Sequence, residues 1–421
     1  MIRSSYFQNR WKHWLRGWQQ VDWLLFALPT LLVLFASVQI ASTQINLEQT
    51  AYGWNHLLLG VLSLMVALGL ARFRYENLLE WQWVIYGAVN VALLAVIFVG
   101  TSGLGAQRWI TIFGFNVQPS EFAKLGLIIT LASMLSGPNA SSLWGVLRAL
   151  AVAAVPWSLV FVQPDLGTSL VFGAITIGML YWANVNPGWL VLMVSPLVAA
   201  IVYHFSLPIW LIWSLGMGVV AWLTLPWRLV STVLATAVNL VSGKLGEVFW
   251  SLLKDYQKDR LILFLDPDRD PLGGGYHLIQ SRIAIGAGKV LGRGLHQGTQ
   301  TQLSFIPEQH TDFIFSAVGE EWGFLGAIAV LVTFWVIFLR LVIIAQNAKD
   351  NFGSLLTMGV LSMLFFQVMV NISMTIGLAP VTGIPLPWLS YGRSALLSNF
   401  IALGLVESVA NYRHRLRFKD P

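Results

Sequence analysis

The sequence contains no cysteine. That excludes disulfides, thiol nucleophiles and cysteine-bound zinc or iron–sulfur centres. Charge is scarce too: Asp, Glu, Lys and Arg make up only 10% of the 421 residues. A soluble domain carries about a quarter, so a wholly water-facing surface is excluded. Repeats of about 20–50 residues are missing, which excludes a solenoid. The seven histidines are scattered and never form H-E-x-x-H, so no histidine-based metal site is expected. Asp266, Asp268 and Asp270 open like a calcium loop, but Pro271 and His277 stand where Gly and Glu are needed. "GAGKVLG" is not a phosphate loop, because Val290 follows Lys289. The net charge of +6 is not gathered into one basic tract, so no nucleic-acid partner is expected.

What is present is apolar length. Hydrophobic residues make up 56% of the chain, in runs of membrane-spanning size without the alternation of a barrel strand. The fold class is an all-α polytopic membrane protein. The spans are 23–41, 54–71, 81–100, 121–137, 144–162, 167–184, 188–205, 208–225, 229–250, 322–344, 353–378 and 393–411. Lys244 and Glu247 interrupt the ninth, so the reading is about ten core spans plus an extra hairpin over about 206–250.

The first apolar run is longer than a signal-peptide core and shows no clear cleavage site. Before it, Phe7, Trp11, Trp14 and Trp18 recur at helical spacing, which suits a short interfacial helix. Arg72, Arg74, Arg148, Arg228, Arg340 and Lys349 fall on one side if the N-terminus is cytoplasmic. Both termini are then cytoplasmic. The organisation is a basic N-terminus over 1–22, spans and hairpin over 23–250, a large extracytoplasmic loop over 251–311, three last spans over 312–411 and a basic tail over 412–421.

Polar clusters gather on the outer side of this topology. They are Arg108 and Trp109 in "GAQRWI", Glu121 and Lys124 in "QPSEFAKL", Asp165 in "QPDLGTS", Glu308, His310, Thr311 and Asp312 in "PEQHTDF", and Ser390 and Arg393 in "PWLSYGRS". An ionisable group at membrane depth costs on the order of 3 kcal/mol unless paired or facing water. Each cluster also has a plainer reading. Glu121 and Lys124 could pair on one helix face. Asp165 and Asp312 could cap helices. Trp109 could be an interfacial anchor, and Arg393 an interfacial charge or a partner to a buried acid. Their convergence points to a wet cleft for an anionic substrate, with arginine and lysine suited to phosphate and carboxylates to proton transfer.

"QPSEFAKL", "QPDLGTS", "DPLGGGYHLIQSRIAIGAG", "GTQTQLSFIPEQHTDFIF" and "GIPLPWLSYG" resemble the signatures of the shape, elongation, division and sporulation family, the RodA and FtsW group of bacterial peptidoglycan polymerases. The resemblance runs from about Trp23 to Tyr412, and "GTQTQL" before "PEQHTDF" is more similar to the elongation branch. It implies a glycosyltransferase of the bacterial inner membrane with ten spans and a large extracellular loop. The activity implied is polymerisation of lipid II into β-1,4 glycan, with release of undecaprenyl pyrophosphate. The resemblance also implies an essential aspartate at Asp312 and sensitive positions at Trp109 and Lys124. Its implied partners are a class B penicillin-binding protein and other elongation-complex membrane proteins. On this basis Asp312 is the expected catalytic residue. Arg108, Trp109, Glu121, Lys124, Asp165, His310, Thr311, Ser390 and Arg393 are expected to bind substrate. No cofactor is firmly implied; a divalent cation, Mg or Mn, is the one candidate. The alternatives are a flippase or transporter for the same lipid, or a scaffold for a transpeptidase. Two departures stand out: the hairpin, and "SYGRSALL", where many members have a second glycine and then serine, so that Arg393 adds a cation the usual motif lacks.

Overall fold

Apolar runs of this length satisfy their backbone groups inside a bilayer only as helices, and the computed structural model is helical wherever they occur. It describes residues 21–45, 51–103, 106–112, 115–271, 273, 275–306 and 308–413. The expected interfacial helix near residues 7–18 and most of the basic tail lie outside the described residues.

The spans are α1 (Trp23–Gln44), α2 (Ala51–Leu70), α3 (Leu78–Val99), α4 (Pro119–Leu135), α5 (Leu143–Val162), α6 (Leu166–Trp182), α7 (Pro187–Phe205), α8 (Leu207–Thr224) and α9 (Arg228–Leu252). The polar loop folds as α10 (Asp255–Leu265), α11 (Tyr276–Ala287) and the single turn α12 (Thr299–Gln302). The chain ends with α13 (Ile314–Gln346), α14 (Asn351–Ile376) and α15 (Arg393–Asn411). Among the described residues, ten helices are long and apolar enough to cross a membrane. Helices α4 and α6 are shorter, at 17 residues each. This is a polytopic all-α membrane protein.

Helix α14 is the central pillar, packed against α4, α6, α13 and α15, and α4 and α15 are both largely enclosed. Helices α7, α8 and α9 pack chiefly on one another. The Asn239 amide donates to Ser195 Oγ at 3.0 Å, and Trp213 Nε1 donates to the Ser195 carbonyl at 3.2 Å. The hairpin seen in the sequence is thus a pair of full-length helices bolted to α7 by buried polar contacts.

One segment departs from its helical surroundings. Residues 101–117 form a three-stranded antiparallel arrangement, β1 (Thr101–Gly103), β2 (Ala106–Ile112) and β3 (Phe115–Val117). It pairs Thr101 with Trp109 and Ile110 with Val117.

The tenth span was expected over 322–344, but its helix starts at Ile314 and includes Glu320 and Glu321, both buried. The loop explains this. Glu320 accepts the N–H groups of Gln300 (2.9 Å) and Thr301 (2.8 Å) and the Thr301 hydroxyl (2.6 Å), so it anchors α12. Glu321 accepts Ser42 Oγ at 2.6 Å and Gln39 Nε2 at 2.8 Å, which ties α13 to α1. Between them and the apolar stretch, Gly323 breaks the helix at φ 67°. The segment 289–294 repairs the break. Phe324 N donates to the Lys289 carbonyl (2.9 Å) and Leu325 N to that of Val290 (3.1 Å), while Arg293 N and Gly294 N donate back to Glu320 and Glu321 (both 3.0 Å). A kink in a membrane helix survives when neighbouring groups satisfy the freed backbone.

Gly292 sits at the closest approach of this strap, at φ +82°, where a Cβ would overlap the Glu321 carbonyl. Gly292→Ala is expected to destabilise the fold by about 1–3 kcal/mol, from the left-handed backbone and the forced separation of strap and helix. Thermal unfolding in detergent should show a lowered Tm; an unchanged Tm would mean the strap does not brace the kink.

Candidate active site

The polar clusters do meet at one end of the bundle. Helix α6 begins where Asp165 accepts Thr168 N (3.2 Å) and Thr168 Oγ1 (2.9 Å), so Asp165 is an N-cap. It is also more than a cap. Arg108 on β2 brings Nη1 to 3.9 Å from Asp165 Oδ1 and donates from Nη2 to the Pro164 carbonyl at 2.6 Å. Gln118, just before α4, donates its amide to Asp165 at 3.4 Å and its backbone N–H to Ser394 Oγ at 2.9 Å. The sheet and the ends of α4, α6 and α15 therefore converge on one polar knot.

Asp312 faces this knot. The helix behind it starts after Phe313 with no side-chain cap bond, so Asp312 is not spent on capping. Its backbone carbonyl accepts Asn371 Nδ2 at 3.0 Å, and the same amide donates to the Ile384 carbonyl at 2.8 Å. Fully buried Asn371 thus clamps the 310–313 turn to the 380–384 loop. The Asp312 carboxylate reaches the open face of Gly383: a Cβ there would lie 3.5 Å from Oδ2. Loss of hydration raises the Asp312 pKa to about 6; Arg260 and Arg108 pull it down, while Glu308 and Asp165 push it up. At neutral pH this carboxylate is mostly ionised but more basic than a surface one.

The other expected residues divide. The His310 carbonyl accepts Tyr391 N at 2.9 Å, and its ring lies 5.3 Å from Tyr52 and 5.8 Å from Tyr391. Burial lowers its pKa, so the imidazole is neutral at pH 7. Thr311 Oγ1 donates to the Glu308 carbonyl at 3.1 Å and shapes the turn. Buried Ser390 accepts Leu386 N at 2.8 Å and closes a turn of its own. Trp109 is half-buried on β2. Arg393 is exposed at the start of α15, with its guanidinium carbon 5.7 Å from the Phe115 ring centre. Lys124 and Glu121 form a buried pair at 2.8 Å, to which Ser398 Oγ adds a bond at 3.2 Å. They sit within α4, braced against α15, and their charges answer each other.

Three contributors escaped the sequence reading: Arg260 on α10, Asn371 in α14 and Gly383. Asn371 carried a usable signal, since a polar side chain deep in an apolar span asks for a partner. Gly383 heads the motif "GIPLPWLSYG" without showing what it faces, and Arg260 carried no signal; only the folded chain brings them to Asp312. Among the described residues no group of three or more His, Asp or Glu side chains is arranged to hold a metal ion.

Known proteins share this architecture. The family of FtsW, RodA and SpoVE, described as "Cell cycle protein", matches residues 19–212 and 208–415. The peptidoglycan glycosyltransferase MrdB of Escherichia coli K12 is 33% identical over 93% of this chain and 94% of its own. The peptidoglycan glycosyltransferase RodA of Treponema pallidum is 33% identical over 94% and 98%. A chain from a solved peptidoglycan synthase complex, whose subject is the coordination of polymerization and crosslinking, superposes with a TM-score of 0.70 at 29% identity, over 95% of this chain and 99% of that one. The chain belongs to the FtsW, RodA and SpoVE family.

The raised Asp312 pKa has a consequence for stability. The ionised carboxylate is disfavoured in the fold, so its cost is absent below the unfolded pKa of about 4, grows as pH rises towards 6, and is fully present above. Asp312→Asn should therefore be at least as heat-stable as the parent at pH 7, with the advantage gone at pH 4. Melting curves in detergent at the two pH values check this; a variant less stable at pH 7 would contradict it.

Proposed function

We propose that this chain polymerises lipid II into glycan strands by inverting glycosyl transfer at the outer face of the bacterial inner membrane, during elongation. The observation that carries the reading is Asp312: a half-buried, uncapped carboxylate with a pKa raised to about 6, flanked by arginines at the same bundle end as Asp165. Family membership and the named activity of the relatives support it.

The donor sugar is α-linked to pyrophosphate and the product is β-1,4-linked, so one displacement with inversion suffices. Asp312 takes the proton of the acceptor 4-hydroxyl while that oxygen bonds to the donor anomeric carbon. The bond to pyrophosphate breaks and undecaprenyl pyrophosphate departs. A base near the working pH combines the right protonation state with useful proton affinity. Arg108, fixed by the Pro164 carbonyl, stabilises the departing charge. Asp165 orients Arg108. Trp109 and His310 line the approach, and Thr311 fixes the turn that carries Asp312. The Glu121–Lys124 pair works from below as a positioning element for the mouth of α4. A divalent cation would have to come with the pyrophosphate, since no group of three or more His, Asp or Glu among the described residues is arranged to hold one. In this reading both termini are cytoplasmic, following the arginines and lysines of the short loops. A class B penicillin-binding protein is the proposed cross-linking partner, as the synthase-complex match supports.

The test is purified chain with lipid II in detergent, where no transbilayer gradient exists. The parent should yield a glycan ladder, and Asp312→Asn should lose about 10²- to 10⁴-fold or more of the rate. Because the base must be ionised, the parent rate should fall as pH drops through about 6. No ladder from the parent, with lipid II flipping in vesicles, would favour a transporter. A ladder from Asp312→Asn would remove the carboxylate from the chemistry.

A further inference from the structure

Helix α10 lies in the large loop, yet it is docked on the site. Gln257 accepts Lys254 N at 3.0 Å and donates from Nε2 to the Pro164 carbonyl at 3.4 Å, the same carbonyl that Arg108 holds. Arg260 is three residues further on, hence on the same helix face. It is half-buried and reachable. Its Nη1 lies 3.9 Å from the point a Cβ would occupy on Gly383, and Asp312 Oδ2 lies 3.5 Å from that same point. Gly383 has φ +75°, a backbone state other side chains rarely adopt. A guanidinium and a carboxylate thus flank a gap that exists because this position has no side chain. The floor of the gap is fixed, since Asn371 holds the Ile384 carbonyl.

We propose that Arg260 is a further catalytic residue, which binds the pyrophosphate leaving group across the Gly383 gap. This rests on the glycosyl-transfer reading above. The charges account for its placing. Before reaction the Arg260 charge is answered by ionised Asp312. As the acceptor oxygen bonds to the anomeric carbon, its proton passes to Asp312, which becomes neutral. In the same step the electron pair of the breaking bond passes to the pyrophosphate oxygen, which becomes more negative. Arg260 loses one anionic neighbour as it gains another, so the cation need not be resolvated. Arg108 meets the pyrophosphate from the Pro164 side, and its fork is partly spent on that carbonyl.

Two substitutions separate this role from mere support of the loop. The groups that bear electrostatically on Asp312 are Arg260, Glu308, Arg108 and Asp165, with the half-buried, neutral-leaning His310 two residues away and His277, whose own pKa is also lowered, on α11. Removing Arg260 takes away the largest attraction favouring ionised Asp312. With lipid II in detergent, Arg260→Gln should lower kcat about 10²-fold. It should also move the acid limb of the kcat/KM profile to higher pH and weaken inhibition by added undecaprenyl pyrophosphate about tenfold. Arg260→Lys keeps the charge without the fork, so the limb should stay while product inhibition still weakens. Parent-like rate, limb and product inhibition in Arg260→Gln would overturn the proposal. So would a slower rate with limb and inhibition unchanged, since that is loss of support only. A parent that makes no glycan at all is a failure of the glycosyl-transfer reading itself, and is visible before any variant is made.

Discussion

A carboxylate near the lipid core must be answered by something other than lipid. The penalty of a few kcal/mol per unpaired charge bears on each buried carboxylate described here. Glu320 is answered by the N–H groups and hydroxyl of α12 in a loop folded back over the bundle, and Glu321 by Ser42 and Gln39 of α1. Glu121 is answered by Lys124 one turn away. At the far end of the bundle, Asp22 is answered by Arg340, and its backbone N–H meets Glu407 at 2.7 Å. These groups are spent on structure. Asp312 differs: its side chain caps no helix, and what surrounds it is a mixture of attracting and repelling charges.

That contrast links fold to chemistry. Glu320 and Glu321 fasten the loop, the strap at Gly292 braces the broken helix α13, and the turn ahead of α13 presents Asp312. Docking of α10 by Gln257 then sets a guanidinium beside it, and Asn371 holds the opposite wall. Each fastening uses polar groups that a bilayer would penalise if left alone. The loop is therefore a structural part of the site, and the membrane supplies the pressure that keeps it in place.

Much of this was legible in the residues. Apolar length gave every span, because nothing but a helix can carry such runs through a bilayer. The hairpin over about 206–250 was visible despite Lys244 and Glu247, which lie on the exposed side of α9. Asp165 as a cap and Glu121–Lys124 as a pair were among the readings that spacing left open, and the structure has both contacts. The start of α13 was missed, because an apolar window stops at Glu320, whereas the helix continues wherever the loop supplies partners. The small sheet of β1, β2 and β3 was missed as well; strands of three to seven residues leave little periodicity. The relation of Arg260 and Gly383 to Asp312 was illegible, as it is made by tertiary contact across long stretches of chain.

Absence of cysteine offers a direct test of the central claim, that position 312 faces water at the outer mouth of the bundle and is covered when substrate is bound. A single Asp312→Cys substitution gives a thiol with no background. In intact spheroplasts it should react with a membrane-impermeant maleimide, and purified protein should be protected from the same reagent by undecaprenyl pyrophosphate. Labelling only after the inner membrane is permeabilised, or labelling indifferent to that ligand, would contradict the account.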